Sequence, residues 1–169
     1  LSSDFDDEFQ IRPERISTGA AFGSSQTSFA LESGLMEVVE RDSCISSYLL
    51  RRKLKRIVNL PDDLTELTRY LSRYRLESYL FDVTSDLGIP CVLAIIIDPS
   101  GIGSSINIGS RASNNFHNAT KSALLESIHC RRTSRVIKEL GKLHIPDEKE
   151  INSLDQRFYF WHPVERIKD

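Results

Sequence analysis

Hydrophobic and polar positions follow two periods along the chain. From about Ser25 to Ser28, "SFALESGLMEVVERDS" repeats its apolar residues at helical spacing, with Ser and Thr available as caps. The pattern predicts a helix running past Arg41 toward the basic "RRKLKR" (Arg51 to Arg56), with a break near Ser46–Ser47. "NLPDDLTELTRYLSRYRL" is a second, surface helix: Pro61 and acidic residues open it, and Leu64, Leu67 and Leu71 give it an apolar stripe. "ESYLFDVT" and "PCVLAIIID" read as strands joined by the turn "TSDLGIP", and "SINIGS" as another strand after "PSGIGSS". A second long helix is predicted over about Asn118 to Leu140. Residues 1 to 16 read as a polar lead-in and "STGAAFGSS" (Ser17 to Ser25) as a loop or short strand. After Gly141 the pattern weakens, and "RFYFWHP" reads as an aromatic-rich strand or loop. The fold class is α+β: two long polar-striped helices packed on a small β-sheet, one domain over 1–169.

The stripes are what need explaining. On the first long helix Ser33, Glu37 and Glu40 stand at i, i+4 and i+7, along one side of an element that otherwise reads as core. On the second, Asn118, Ser122, Glu126 and His129 do the same beside Ala119, Ala123, Leu124 and Ile128. Hard cations such as Mg²⁺ take oxygen ligands and are often shared between carboxylates and substrate phosphates. Glu37, Glu40 and Glu126 could supply such ligands, and Arg41, Arg131 and Arg132 could meet phosphate oxygens. Periodicity alone favours solvated faces whose glutamates pair with nearby arginines, since charged helix faces usually meet water, and that reading stays open.

Composition narrows the classes. The chain has 169 residues, 40% hydrophobic and 27% charged, enough for one domain with a real core. A net charge of -2 gives no basic field for nucleic acid, and no apolar run reaches bilayer length. Cys44, Cys91 and Cys130 form no CxxC pair, so reduced, cytoplasmic thiols are expected. The four histidines lack zinc-site spacing. The chain opens on Leu1 without signal-peptide order and ends on "HPVERIKD" without an evident terminal element. A processed piece, or a stretch cut from something longer, is the expectation.

Other motifs carry less. "SGIGSSINIGS" matches no phosphate-loop spacing and lies between strands, so it reads as a hairpin turn. "LLRRKLKR" lacks interleaved aromatics and reads as the close of a helix rather than a nucleic-acid surface. Ser43, Cys44 and Cys130 have no histidine–carboxylate partner at a recognisable spacing.

The order of segments adds more than any single one. Ser17, Gly19 and Gly23 open a small-residue stretch, "GLMEVVERD" spans Gly34 to Asp42, "DVTSDLGIP" spans Asp82 to Pro90, and "ALLESIHCR" spans Ala123 to Arg131. Together they resemble the YcaO family, whose blocks occur in that order, over about residues 15–135. The resemblance implies a YcaO-like fold and ATP- and Mg²⁺-dependent activation of peptide backbone amides by phosphorylation. Azolines, thioamides or amidines would follow, according to the attacking nucleophile. It implies metal ligands at Glu37, Glu40 and Glu126, and nucleotide contacts at Ser33, Arg41, Glu126, His129 and Arg131. Which residue is catalytic stays open.

There are departures from the family pattern. Ser122 stands where the family has a carboxylate and His129 where it has a glutamine. Family members are also about twice this long, so an incomplete domain is expected. Implied partners are a peptide or protein substrate, a protein that presents it, and a second copy meeting through "RFYFW"; neither nucleic acid nor membrane is expected. The alternative reading is a non-catalytic YcaO-like binding or scaffolding module in a peptide-modifying complex.

Overall fold

A computed structural model describes residues 26–168 of the chain. Ser17, Gly19 and Gly23 lie outside the described residues. Eight elements follow in order: α1 (Thr27–Leu49), β1 (Lys55–Arg56), α2 (Asp62–Ser72), β2 (Glu77–Asp82), β3 (Cys91–Ile97), β4 (Ile106–Ala112), α3 (Phe116–Glu139) and α4 (Leu154–Phe160). The strands form one antiparallel sheet in the order β1-β2-β3-β4, so among the described residues β1 and β4 are its edges. This is the α+β arrangement expected: long helices on a small sheet.

The sheet is covered unequally. Side chains alternate across a strand, so Val92, Ala94 and Ile96 of β3 share one face with Leu80 of β2. There they pack with Leu71 and Leu76 and with Ala119, Ala123 and Leu124 of α3 in the main core. Cys91 and Ala112, opposite each other in register, point the other way and pack with Val83 and with Val39 of α1. The two long helices therefore lie on opposite faces of the sheet. α1 turns small residues inward, burying Gly34, Val39, Ser43 and Ser47. Its larger apolar residues Leu31, Leu35, Val38, Ile45 and Leu49 stay at least 47% exposed.

Local chemistry sets the element ends, and in four places it differs from the expectation. α1 begins after Gln26, whose side chain makes no cap bond, rather than on a Ser or Thr cap. It runs unbroken through Ser46–Ser47 to Leu49, and Arg51 at φ +47° turns the chain out of the helix. The basic stretch that follows does not extend the helix: Lys55 and Arg56 pair with Asp82 and Phe81 as a two-residue edge strand. Charged residues are common on such edges because they discourage further pairing. "RFYFW" is also not a strand. Ser153 caps α4 by accepting from the Gln156 N–H at 3.2 Å, and Phe160 is buried beneath the Arg166 guanidinium, 3.8 Å from the ring centre. The cap outweighs the β-like composition.

Candidate functional site

The site is built around β4. As an edge strand it leaves alternate N–H groups without a strand partner, and Ser110 is one of them. Its N–H donates to Oε2 of Glu126 on α3 at 2.9 Å. Its Oγ donates to Oε1 of Glu40 on α1 at 2.7 Å. One serine thus receives two carboxylates that reach the sheet edge from opposite faces.

Gly109 makes the approach of α3 to β4 possible. A Cβ there would sit 2.3 Å from the Ala123 carbonyl oxygen, 2.5 Å from the Ser127 nitrogen and 2.9 Å from the Glu126 Cβ. Only glycine lets the helix backbone lie this close, and the closeness delivers Glu126 to the strand edge. On the other face Glu40 is brought in by the small inward side of α1.

The pairing has an electrostatic cost. Burial raises the Glu40 pKa, the Ser110 hydrogen bond opposes that, and the charge of Glu126 raises it again; Arg111 and the Ala112 backbone pull it down. Two neighbouring carboxylates with one bridging serine form a hard-oxygen donor set that a cation would relieve. Among the described residues, no group of three or more His, Cys, Asp or Glu side chains is arranged to hold a metal ion.

One turn back along α1, Glu37 bonds Arg41 at 2.6 Å, with its own side chain 16% exposed. Beyond it, Ser33 lines a cleft of about 370 Å³ with Arg111, Asn114, Asn118, Lys121 and Ser122. Glu32 closes one side by accepting from Asn114 Nδ2 at 2.8 Å. The stripes of α1 and α3 thus run in the same sense along the β4 edge, from the cleft to the carboxylate pair. Arg111, Asn114 and Lys121 are the members that sequence spacing missed. The polar-then-basic end of β4 and the start of α3 carry them, and only the fold brings those two segments beside Ser33.

Two expected nucleotide contacts sit elsewhere. Arg131 bonds through Nε to Oδ2 of the fully buried Asp98 at 2.7 Å, at the end of β3. His129 is exposed and lies with Arg132, Thr133 and Val136 in a separate depression. Of the cysteines, Cys44 bonds the buried Cys91 thiol, which lowers the pKa of Cys44 and raises that of Cys91; burial pushes Cys130 up. Among the described residues, no helix is long and apolar enough to cross a membrane.

Fold and site together define an α+β module in which acidic helices from both faces meet at β4, an edge strand among the described residues. A family model described as YcaO cyclodehydratase, ATP- and Mg²⁺-binding, matches residues 12–168. The chain belongs to the YcaO family.

Solved structures share this fold. In the E. coli microcin synthetase McbBCD complex with pro-MccB17 bound, the similar chain is 18% identical, with a TM-score of 0.69 over 86% of this chain and 37% of its own length. The heterocyclase TruD is 23% identical, with a TM-score of 0.56 over 79% of this chain and 18% of its own. YcaO from Methanopyrus kandleri bound with AMPPCP and Mg²⁺ is 23% identical, with a TM-score of 0.50 over 83% of this chain and 34% of its own. The chain therefore spans between 18% and 37% of the length of these proteins. Among curated proteins, none matches the sequence.

Proposed function

We propose that this chain carries the metal- and nucleotide-holding edge of a YcaO enzyme that activates backbone amides of a peptide or protein for cyclodehydration. The carrying observation is the convergence of Glu40 and Glu126 on Ser110. Mg²⁺ uses one or two carboxylates and completes its shell with water and substrate phosphates, so this donor set fits it without a third carboxylate. Glu37 joins the set only by giving up its bond to Arg41.

When bound, Mg²⁺–ATP supplies the phosphoryl group that turns the amide oxygen into a leaving group. The chain's own residues bind and orient. Glu40 and Glu126 hold the cation, and Ser110 fixes both carboxylates against the rigid sheet. Arg111 and Lys121 offer cations to phosphate oxygens in the cleft, with Ser33, Asn118 and Ser122 as hydrogen-bond partners. Such preorganised charge does most of the work in phosphoryl transfer. The family description as cyclodehydratase favours a Cys, Ser or Thr nucleophile, giving an azoline, over sulfide or an amine.

Calorimetric titration of ATP with and without Mg²⁺ tests this. Binding that requires magnesium and disappears in Glu126→Gln is the expected result, and magnesium-independent binding removes the carboxylate pair from the role. A second reading, a YcaO module that binds without catalysis, draws on Ser122 at a carboxylate position and on the commitment of Arg131 to Asp98. Absence of any nucleotide binding by the intact chain favours it.

A further inference from the structure

On its side of the sheet α1 is the outer layer, packed mainly on β4 and β3. Its outward face is apolar. Leu31, Leu35, Val38, Ile45 and Leu49 lie along it, each between 47% and 72% exposed. They are spaced by 4, 3, 7 and 4 residues, and exposed Asp42 divides the seven into 4 and 3. Alternating steps of four and three are the period of a seam that packs against another helix. The five side chains expose on the order of 600 Å² between them, the upper end of what a monomer leaves apolar. With Tyr48 and Leu50 beside them, the face reaches the roughly 800 Å² per partner of a stable interface. The aromatic run Phe158–Trp161 offers less, since its side chains are buried or half-buried.

We propose that this face pairs with the same face of a second copy, the two helices running antiparallel about a two-fold axis near Glu40. A two-fold dimer requires such a self-complementary surface. In that register Leu31 meets Leu49 of the other copy, Leu35 meets Ile45, and Val38 meets Asp42. Charge selects the orientation. Parallel helices would set Asp42 against Asp42, like charges opposed in the middle of the seam. Antiparallel helices keep the two carboxylates in separate layers. They also bring exposed Glu32, near the start of one helix, beside exposed Arg51 and Arg52 at the end of the other, and they oppose the helix dipoles.

Sedimentation of the full chain at micromolar concentrations tests the pairing. The native chain is expected at twice its 19.2 kDa mass, with an unfolding temperature that rises with concentration. Leu35→Glu/Ile45→Glu changes two exposed positions, so the fold should hold while self-association weakens at least about hundredfold. Orientation is read separately, by oxidising an equal mixture of Leu31→Cys and Leu49→Cys chains and mapping the linked peptides. A disulfide between position 31 of one chain and position 49 of the other is expected. A monomer at every concentration overturns the proposal and leaves the face to a different protein. A dimer that survives the double substitution overturns it too, by placing the contact elsewhere. Linkage of 31 to 31, or of 49 to 49, also overturns it, by making the helices parallel.

Discussion

Glu40 and Glu126 approach from opposite faces of the sheet and meet at Ser110, one through its hydroxyl and the other through its amide. Neither helix could form the pair alone, and the strand edge sets the spacing. The like charges already act on each other, since Glu126 helps to raise the Glu40 pKa. The arrangement therefore holds electrostatic stress that a cation would release.

Glu40→Gln separates that stress from function. A Gln amide oxygen can still accept from the Ser110 hydroxyl, while the carboxylate repulsion disappears. The metal-free variant is expected to unfold at the same temperature as the native chain or slightly above it. Its magnesium-dependent ATP affinity should fall by at least about tenfold, roughly 1.4 kcal/mol. Differential scanning fluorimetry and calorimetry on the same samples check both halves. A destabilised variant with unchanged affinity would make Glu40 a structural residue only.

Gly109→Ala probes how α3 is seated. The added methyl meets backbone atoms of α3, at 2.3 Å and 2.5 Å, and backbone cannot rotate aside as a side chain can. The helix must shift outward, which typically costs about 1–3 kcal/mol and here belongs at the upper end. Glu126 should leave Ser110 with it. Urea denaturation measures the first effect and nucleotide titration the second. A variant of native stability would mean that α3 is looser on the sheet than these contacts imply.

How much of this was legible in the sequence depends on the range of each interaction. β2, β3, β4, α2 and both long helices follow from period and local signals such as Pro61 with Asp62 and Asp63. The polar stripes were visible for the same reason. Three things were not. The end of α1 rests on Arg51 adopting a left-handed conformation that arginine does not advertise. The helix α4 rests on one Ser153 cap inside an aromatic run that composition reads as β. Ser110 is silent in sequence because its role comes from strand order, which leaves β4 at an edge among the described residues, and from Gly109, whose close contact with α3 nothing in the strand pattern of "SINIGS" signals. Arg131 matched a family position, yet its partner Asp98 lies 33 residues away and no spacing links the two.

Arg131→Met distinguishes a structural arginine from a phosphate-binding one. Asp98 is fully buried, and removing its guanidinium partner leaves it, among the described residues, only the Ser100 N–H and hydroxyl as hydrogen-bond donors. An uncompensated buried carboxylate typically costs about 3–5 kcal/mol. The variant should therefore unfold at markedly lower denaturant. If Arg131 instead serves mainly the nucleotide, stability stays close to native and ATP affinity falls.

His162 gives the chain a pH dependence of known sign. The side chain is 4% exposed, and its Nε2 finds no hydrogen-bond partner among the described residues. Burial lowers its pKa, the charge of Lys138 lowers it further, and its own backbone bond and Asp98 oppose the shift only in part. The unfolded chain therefore binds this proton at a higher pH than the folded one. The neutral ring's contribution to stability is complete above the unfolded pKa of about 6.5. It is lost as pH falls from there through the folded pKa, with a slope of at most about 1.4 kcal/mol per pH unit from this one group. His162→Gln removes the titration and should flatten the stability profile between pH 7 and pH 5 relative to the native chain. Denaturation midpoints across that range provide the check. Parallel profiles for the two chains would show that the His162 ring is protonated as readily in the fold as out of it.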